Sequence, residues 1–240
     1  MFARVNARLL AVLPARGGSK RIPHKNIKDF QGRPLLARTI ETVRKSGIFD
    51  TIVVSTDDLD TAKLAVEAGA VVPFMRPADL SDDITPTQPV LSHAVSQCES
   101  IFGEFTMVCC VYPGAVLMTE SDFINSSSRI HETERANGVC AAVVRYSHPI
   151  QRALRAKEDG LLLPADATDV LSRTQDLEPM WHDAGQFYWA TPSRWHESTP
   201  LLSRVIPYEV PHWRIQDLDS EDDWIRAEMI FELIRQVSKS

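Results

Sequence analysis

Leu9 to Leu13 is an unbroken apolar run that stops at Pro14, the pattern of a strand buried on both faces of a parallel sheet. From Pro34 to Val43 the period changes: Leu35, Leu36, Thr39, Ile40 and Val43 form one stripe, with Pro34 suited to the first turn of a helix. Thr51 to Ser55 predicts a second strand, and Asp58 to Ala68 a helix that Gly69 can end in a left-handed conformation. Val71 to Met75 reads as strand, Gln88 to Ile101 as helix, Thr106 to Tyr112 as strand, Ser121 to Thr133 as helix and Val139 to Tyr146 as strand. Strands alternating with helices predict an α/β fold, a Rossmann-like doubly wound and mostly parallel sheet. The alternation fails from Ser147 to Met180, where Glu158-Asp159-Gly160 marks a turn within a largely polar stretch. Gly185 to Ala190 and Val205 to Val210 resume strand character, and an amphipathic helix with an acidic start runs from Ser220 to Val237. The expectation is one domain over residues 1–240 with an inserted arm or lid at 147–184.

Composition narrows the partners. A hydrophobic fraction of 44% and a charged fraction of 24% suit an ordinary folded chain. A net charge of -6 argues against a nucleic-acid partner, which calls for broad positive surface. The apolar run at Leu9 to Leu13 is too short for a signal peptide or a membrane span. No membrane association is expected. Cys98, Cys109, Cys110 and Cys140 lack metal-ligand spacing, and the adjacent pair in a strand would face opposite ways. They read as reduced core thiols of a cytoplasmic protein.

Against this acidic background, Arg16, Lys20, Arg21, Lys25 and Lys28 fall between Pro14 and Lys28 with no acid until Asp29. Gly17, Gly18 and Ser19 let backbone N–H groups approach an anion, and the loop follows the first strand, where open α/β sheets place their ligand crevice. The register of a P-loop is absent, as is the dinucleotide fingerprint. A solvated basic turn is the plain alternative. Near the other end, Asp217 and Asp219 sit two apart on a segment read as extended, so both carboxylates leave one face and can share a cation. Magnesium suits such a pair, completing its shell with phosphate oxygens and water. The rival is a helix cap at Asp219 or Ser220; a triphosphate loop in the same chain favours the metal.

Leu13-Pro14-Ala15-Arg16-Gly17-Gly18-Ser19-Lys20-Arg21-Ile22-Pro23-His24-Lys25-Asn26 resembles the opening signature of the cytidylyltransferases that make CMP-activated nonulosonic acids, the CMP-sialic acid synthetase group. Val53-Val54-Ser55-Thr56-Asp57-Asp58, then Arg76-Pro77-Ala78-Asp79-Leu80 with Asp82 and Asp83, look like its next landmarks, and Gln216-Asp217-Leu218-Asp219 like its metal-binding element. The segments Pro149 to Leu154, Arg173 to Leu177 and His182 to Trp189 are most similar to the branch of that group whose sugar is pseudaminic acid. Sister branches acting on N-acetylneuraminic, legionaminic or Kdo-type acids are the alternative, followed by a catalytically weak nucleotide-binding protein. The last is motivated by Tyr112-Pro113-Gly114-Ala115-Val116, which lacks a hydroxyl and a proline that many relatives carry.

The resemblance implies CTP and a sugar acid as substrates, magnesium as cofactor and a homodimer in which the arm reaches a neighbouring active site. It implies that Ala15, Arg16, Gly17, Ser19, Lys20, Lys25 and Asn26 hold the triphosphate, and that Arg76 and Asp83 help read cytosine. Tyr112, Arg152, Arg173, Asp183 and Gln186 fall to the sugar, and Asp217 and Asp219 to the metal. Arg16, Lys25, Asp217 and Asp219 would carry the catalysis. His182 is expected to orient and not to act as a base, and the five tryptophans to pack in core and interface.

Overall fold

The computed structural model describes residues 7–165 and 172–237. The chain opens with β1 (Leu9–Pro14), a two-residue hairpin of β2 (Asp29–Phe30) and β3 (Arg33–Pro34), α1 (Leu35–Lys45), β4 (Thr51–Ser55) and α2 (Leu59–Glu67). There follow α3 (Thr87–Phe102), β5 (Met107–Val111), α4 (Glu120–Ser127), α5 (Ile130–Ala136) and β6 (Val139–Arg145). A short hairpin, β7 (Leu154–Ala156) and β8 (Leu162–Pro164), precedes β9 (Trp181–Ala190), α6 (Pro192–His196), β10 (Val205–Glu209) and α7 (Glu221–Val237).

Six strands form the main sheet in the order β10-β6-β9-β5-β1-β4. β1 runs parallel to β4 and β5, and β10 parallel to β6; β9 is antiparallel to both its neighbours. The mostly parallel α/β sheet read from the periodicity is therefore the fold. Burial explains its centre: Leu10 to Leu13 are fully excluded from solvent, with Leu10, Val12 and Leu13 each contributing about 1.5 to 3 kcal/mol on burial. Cys109 packs in the cluster on one sheet face and Cys110 in the cluster on the other. All four cysteines are free and buried.

Four expectations change. Only Val71 joins the sheet after α2, as a bridge to Val53, because Pro73 has no N–H to continue a ladder. The single helix expected over Ser121 to Thr133 is two, since Ser126, Ser127 and Ser128 turn their hydroxyls onto the carbonyls of Phe123, Ile124 and Asn125 and compete with the helix at that point. Pro34 precedes α1 as its cap residue, outside the first turn. The arm is shorter than 147–184: Trp181 onward pairs with β6, so the excursion ends at Met180. Residues 166–171 of that expected arm lie outside the described residues. β7 and β8 pair with each other and form a separate two-stranded sheet.

Because β9 is antiparallel, its first half lies at the end of the sheet where β1, β4 and β5 finish. Pro14, Tyr112 and Gly185 consequently come to one crevice.

Candidate functional site

The crevice is a cavity of about 620 Å³. One wall is the basic loop, with Arg16, Ser19, Lys20, Arg21, Lys25 and Asn26 lining it; the facing wall is Gln216-Asp217-Leu218-Asp219. Tyr112, Pro113, Gly114, Gly185 and Gln186 close one side, and Asp83 and Thr87 also line it. The two ends of the sequence singled out as phosphate loop and metal element thus meet across one space.

The loop is held from below by Ile22, which is fully buried beside Phe30, Leu35 and Trp224. The Asn26 amide donates to the Arg16 carbonyl at 2.8 Å, so Asn26 shapes the loop as well as lining the cavity. Lys28 faces away: its ammonium pairs with Glu221 at 2.8 Å and stands 4.5 Å from the Trp224 ring centroid, tying the loop to α7. Lys25 spans the cavity, donating to the Leu218 carbonyl at 2.5 Å between the two aspartates. Burial pulls its pKa below the usual lysine value, opposed by the Asp217 and Asp219 charges.

The loop cations, a run without an acid in the sequence, meet acids from distant parts of the chain. Arg16 and Lys20 both meet Asp83, and Arg21 meets Asp219. Hydrogen bonds from Lys20 and Arg16 hold the Asp83 carboxyl below the ordinary carboxylate range. Asp83 therefore stands among the cations of the basic loop.

Ala15 and Gly17 do not line the cavity. The Ala15 methyl is core and its N–H goes to the Ser55 carbonyl at 2.9 Å. The Gly17 N–H goes to Asp57 at 3.0 Å, and a Cβ at this position would lie 2.7 Å from Asp58 Cβ. This glycine serves a close backbone approach to the β4 end, not an anion nest. Arg76 is also outside the lining: it is buried and donates to the Ser55 hydroxyl at 3.1 Å and to the Ser55 carbonyl. Burial lowers its pKa, with Asp57 opposing.

Among the residues expected to meet the sugar, Tyr112 pairs its hydroxyl with Thr87, and burial pushes the phenol well above its usual range. Gln186 is 2% exposed; its amide donates to the Ala184 carbonyl at 2.8 Å. Asp183 is absent from the lining. Its carboxylate accepts from Tyr188 Oη at 2.6 Å and from the Gly185 N–H at 2.9 Å, fixing the turn that carries Gly185 and Gln186 into the wall. Gly114 lines the cavity opposite Leu218, whereas Val116 is buried in the core under α7, so of these two positions only Gly114 borders the cavity.

Arg152 and Arg173 are not brought to the cavity. Arg152 donates to the Ser172 carbonyl at 2.5 Å, and Arg173 pairs with Asp176 at 2.9 Å with its side chain 74% exposed. His182 stacks obliquely on Tyr146 and engages the Asp183 backbone carbonyl, away from the cavity. Trp189, Trp195 and Trp224 are core, while Trp181 and Trp213 are half-exposed. Sequence reading missed Thr87 and gave no role to the supporting Asp57, and it took Gln216 only as part of the Gln216-Asp217-Leu218-Asp219 element. Asp57 had a signal, its place in the Ser55-Thr56-Asp57-Asp58 landmark at the end of a strand; Thr87 had none.

Among the described residues no group of three or more His, Cys, Asp or Glu converges to hold a metal ion. Two carboxylates on one wall suit a cation that takes its remaining oxygens from phosphates and water, which describes magnesium and not structural zinc. No described helix is long and apolar enough to cross a membrane.

The fold and this loop-and-carboxylate crevice define a nucleotidyltransferase. The sequence signature of the cytidylyltransferases matches residues 10–169, and the chain belongs to that family. It is 34% identical over 225 residues to the pseudaminic acid cytidylyltransferase of Campylobacter jejuni, covering 93% of this chain and 96% of the other. It is 29% identical to the CMP-N,N'-diacetyllegionaminic acid synthase of Legionella pneumophila, covering 94% and 97% of the two chains. Its backbone superposes with a TM-score of 0.66 on a CMP:2-keto-3-deoxy-manno-octonic acid synthetase solved with CTP, at 15% identity and over 96% and 99% of the chains.

Proposed function

We propose that the chain transfers CMP from CTP to the anomeric hydroxyl of a nonulosonic acid, pseudaminic acid, and releases pyrophosphate. The observation that carries this reading is the meeting of Arg16, Lys20 and Lys25 with Asp217 and Asp219 across one cavity. The 34% identity to a pseudaminic acid cytidylyltransferase favours that sugar over the legionaminic alternative at 29%.

In this reading Arg16, Lys20 and Lys25 exchange carboxylate and carbonyl partners for triphosphate oxygens, and Ser19 and Asn26 hold the loop's shape around them. The sugar's anomeric oxygen attacks the α-phosphorus in line. A new P–O bond forms as the hydroxyl gives up its proton to solvent, the bond to the bridging oxygen breaks, and its electron pair leaves with pyrophosphate. Positioning and charge neutralisation supply most of the rate. Asp217 and Asp219 would hold magnesium, which when bound neutralises phosphate charge and acidifies the attacking hydroxyl. Tyr112, Gly114 and Gln186 would shape the sugar's seat, with Asp183 behind them.

Among the described residues, the cations that line the cavity all belong to the basic loop. A sugar carboxylate calls for a further cation, for which a bidentate arginine is the natural partner. Arg152 and Arg173 would supply it from the arm of a second subunit, making the enzyme a homodimer. The exposed Leu154, Leu161, Leu162 and Leu163 of that arm support such a contact. We place the reaction in the cytoplasm, a reducing compartment that suits four free buried thiols.

The test is pyrophosphate release from CTP and magnesium with a panel of sugar acids. Release with pseudaminic acid, at a kcat/KM at least about tenfold above the other acids, is expected. Preference for another acid moves the substrate, and no release with any acid removes the activity.

A further inference from the structure

Arg214 stands three residues before Asp217, and its guanidinium meets the carboxylate of Asp122 on α4, with the two side chains 15% and 6% exposed. No residue of α4 lines the cavity. Asp122 also accepts from the Thr119 N–H at 2.7 Å, from the Thr119 hydroxyl at 2.8 Å and from the Tyr208 hydroxyl at 3.1 Å. Capping α4 accounts for the Thr119 bonds. It does not account for Tyr208 from β10 or Arg214 from beyond it, which together bring the segment after the edge strand onto one buried carboxylate.

Downstream of Arg214 the chain is pinned again. Leu218 is buried under α7 and its carbonyl holds Lys25. The Asp223 carboxylate accepts from the Gln216 amide at 2.7 Å, the Asp219 N–H at 3.3 Å and the Ser220 N–H at 2.9 Å. Asp217 and Asp219 thus hang from a short strap fixed at Asp122 on one side and at Asp223 on the other. Extended backbone without a sheet partner needs such anchors, because a shift of about 1 Å in a ligand-bearing segment is enough to cost a large part of the rate.

We propose that Asp122 and Arg214 are a positioning pair for nucleotide transfer: they set where Asp217 and Asp219 present their oxygens to the cation and the CTP phosphates, while touching neither. The proposal rests on the assignment of those two aspartates as the cation holders.

The test uses the full-length enzyme and the variants Asp122→Asn, Arg214→Met and the double variant. Pyrophosphate release is followed against magnesium and CTP, CTP binding by calorimetry with magnesium and with EDTA, and Tm by thermal unfolding. Each single variant leaves one buried charge uncompensated and lowers Tm; the double variant recovers Tm toward the parent. The expected result is that the double variant still needs about tenfold more magnesium for half-maximal rate and has a lower kcat. Its CTP affinity in EDTA equals the parent's, the gain on adding magnesium falls about tenfold, and the KM for the sugar acid does not move. Tyr208→Phe, which keeps both charges and removes one donor, should shift the magnesium requirement the same way by about two- to threefold; it serves where the charge variants do not fold. The proposal is overturned when magnesium requirement and kcat return to parent values together with Tm in the double variant, or when Tyr208→Phe matches the parent in magnesium requirement and in the gain of CTP affinity with magnesium. A parent-like magnesium response in Asp217→Ala would instead remove the cation assignment itself, a separate failure.

Discussion

The two regions whose arginines are proposed to meet the substrates are built differently. At the carboxyl end of the sheet, Arg16 sits in a loop whose backbone is held by Asn26, by Asp57 and by buried Ile22, and its side chain faces a cavity. In the arm, Arg152 and Arg173 rest on local partners, beside leucines that are exposed. The first region is an enclosed cavity and the second an exposed hairpin with no enclosure. In the proposed reaction one chain would build the nucleotide half, and the sugar-acid half would call for a surface that meets the arm.

The sharpest way to break that contrast is to remove a charge from the finished side. Asp217→Ala or Arg16→Ala should lower pyrophosphate release by about 10² to 10⁴-fold. Among the described residues none donates to the Asp217 carboxylate, so Tm of Asp217→Ala should stay within a few degrees of the parent. A large fall in Tm, or a loss of less than tenfold, would show that these side chains serve the fold or lie outside the chemistry.

The arm gives the next effect. Arg173→Ala should raise the sugar-acid KM by about tenfold or more while the KM for CTP stays fixed, the loss of one charge-assisted bidentate contact. Mixing this variant with Asp217→Ala should restore part of the activity, because one composite site would then hold an intact Asp217 and an intact Arg173 from different subunits. An unchanged sugar KM sinks the carboxylate role, and the absence of any restoration sinks the shared site.

The same contrast explains what could be read from the sequence. β1, α1, β4, α3 and β5 came out within a residue or two because each buries a continuous or strongly periodic apolar face. The strand expected at Val71 to Met75 failed at Pro73, and the helix at Ser121 to Thr133 failed at three serines, both places where local chemistry overrides the period. The basic loop was visible as charge against an acidic background and the Asp217-Asp219 pair as two carboxylates spaced to leave one face, but their partners were not. Pairing of Arg16 and Lys20 with Asp83 crosses more than sixty residues, and Asp122 to Arg214 crosses more than ninety, so no spacing rule reaches them. Ala15 and Gly17 carried family resemblance that belongs to the core and to a close approach.

A smaller effect sharpens the role of Lys25. Its pKa is lowered in the free enzyme, chiefly by burial, so it loses its proton at a lower pH than an ordinary lysine. For a cation lowered on folding, the cost of charging it weighs on stability at all pH values below the folded pKa and is relieved as pH rises through it toward 10.5. For function the sign is opposite, because the neutral amine no longer neutralises phosphate. The kcat/KM for CTP should therefore fall on an alkaline limb centred below pH 10.5, whereas kcat, measured with the triphosphate restoring the proton, should fall later. Lys25→Arg should move the first limb upward while costing a few-fold in rate at neutral pH, since the larger fork meets the Leu218 carbonyl differently. Coincident limbs for the two parameters would remove Lys25 from the phosphate contact.

The smallest effect on rate falls where the sequence was most persuasive about chemistry. Gly17 lies inside the phosphate signature, yet its N–H is taken by Asp57 and its missing Cβ makes room for Asp58. Gly17→Ala would place a methyl group 2.7 Å from Asp58 Cβ, which sits at the rigid cap of α2 and is held there by Thr61 at 2.8 Å. Relief requires the loop or the cap to move, at about 1 to 3 kcal/mol. The expected outcome is a Tm lower by several degrees, with kcat/KM for CTP falling only as far as the loop is displaced, by less than about tenfold. Asp57→Asn, which keeps an acceptor for the Gly17 N–H, should cost less than Gly17→Ala in both measurements. A Gly17→Ala variant with parental Tm and a rate loss of Asp217→Ala size would restore the anion-nest role and place the phosphates against the loop backbone instead of its side chains.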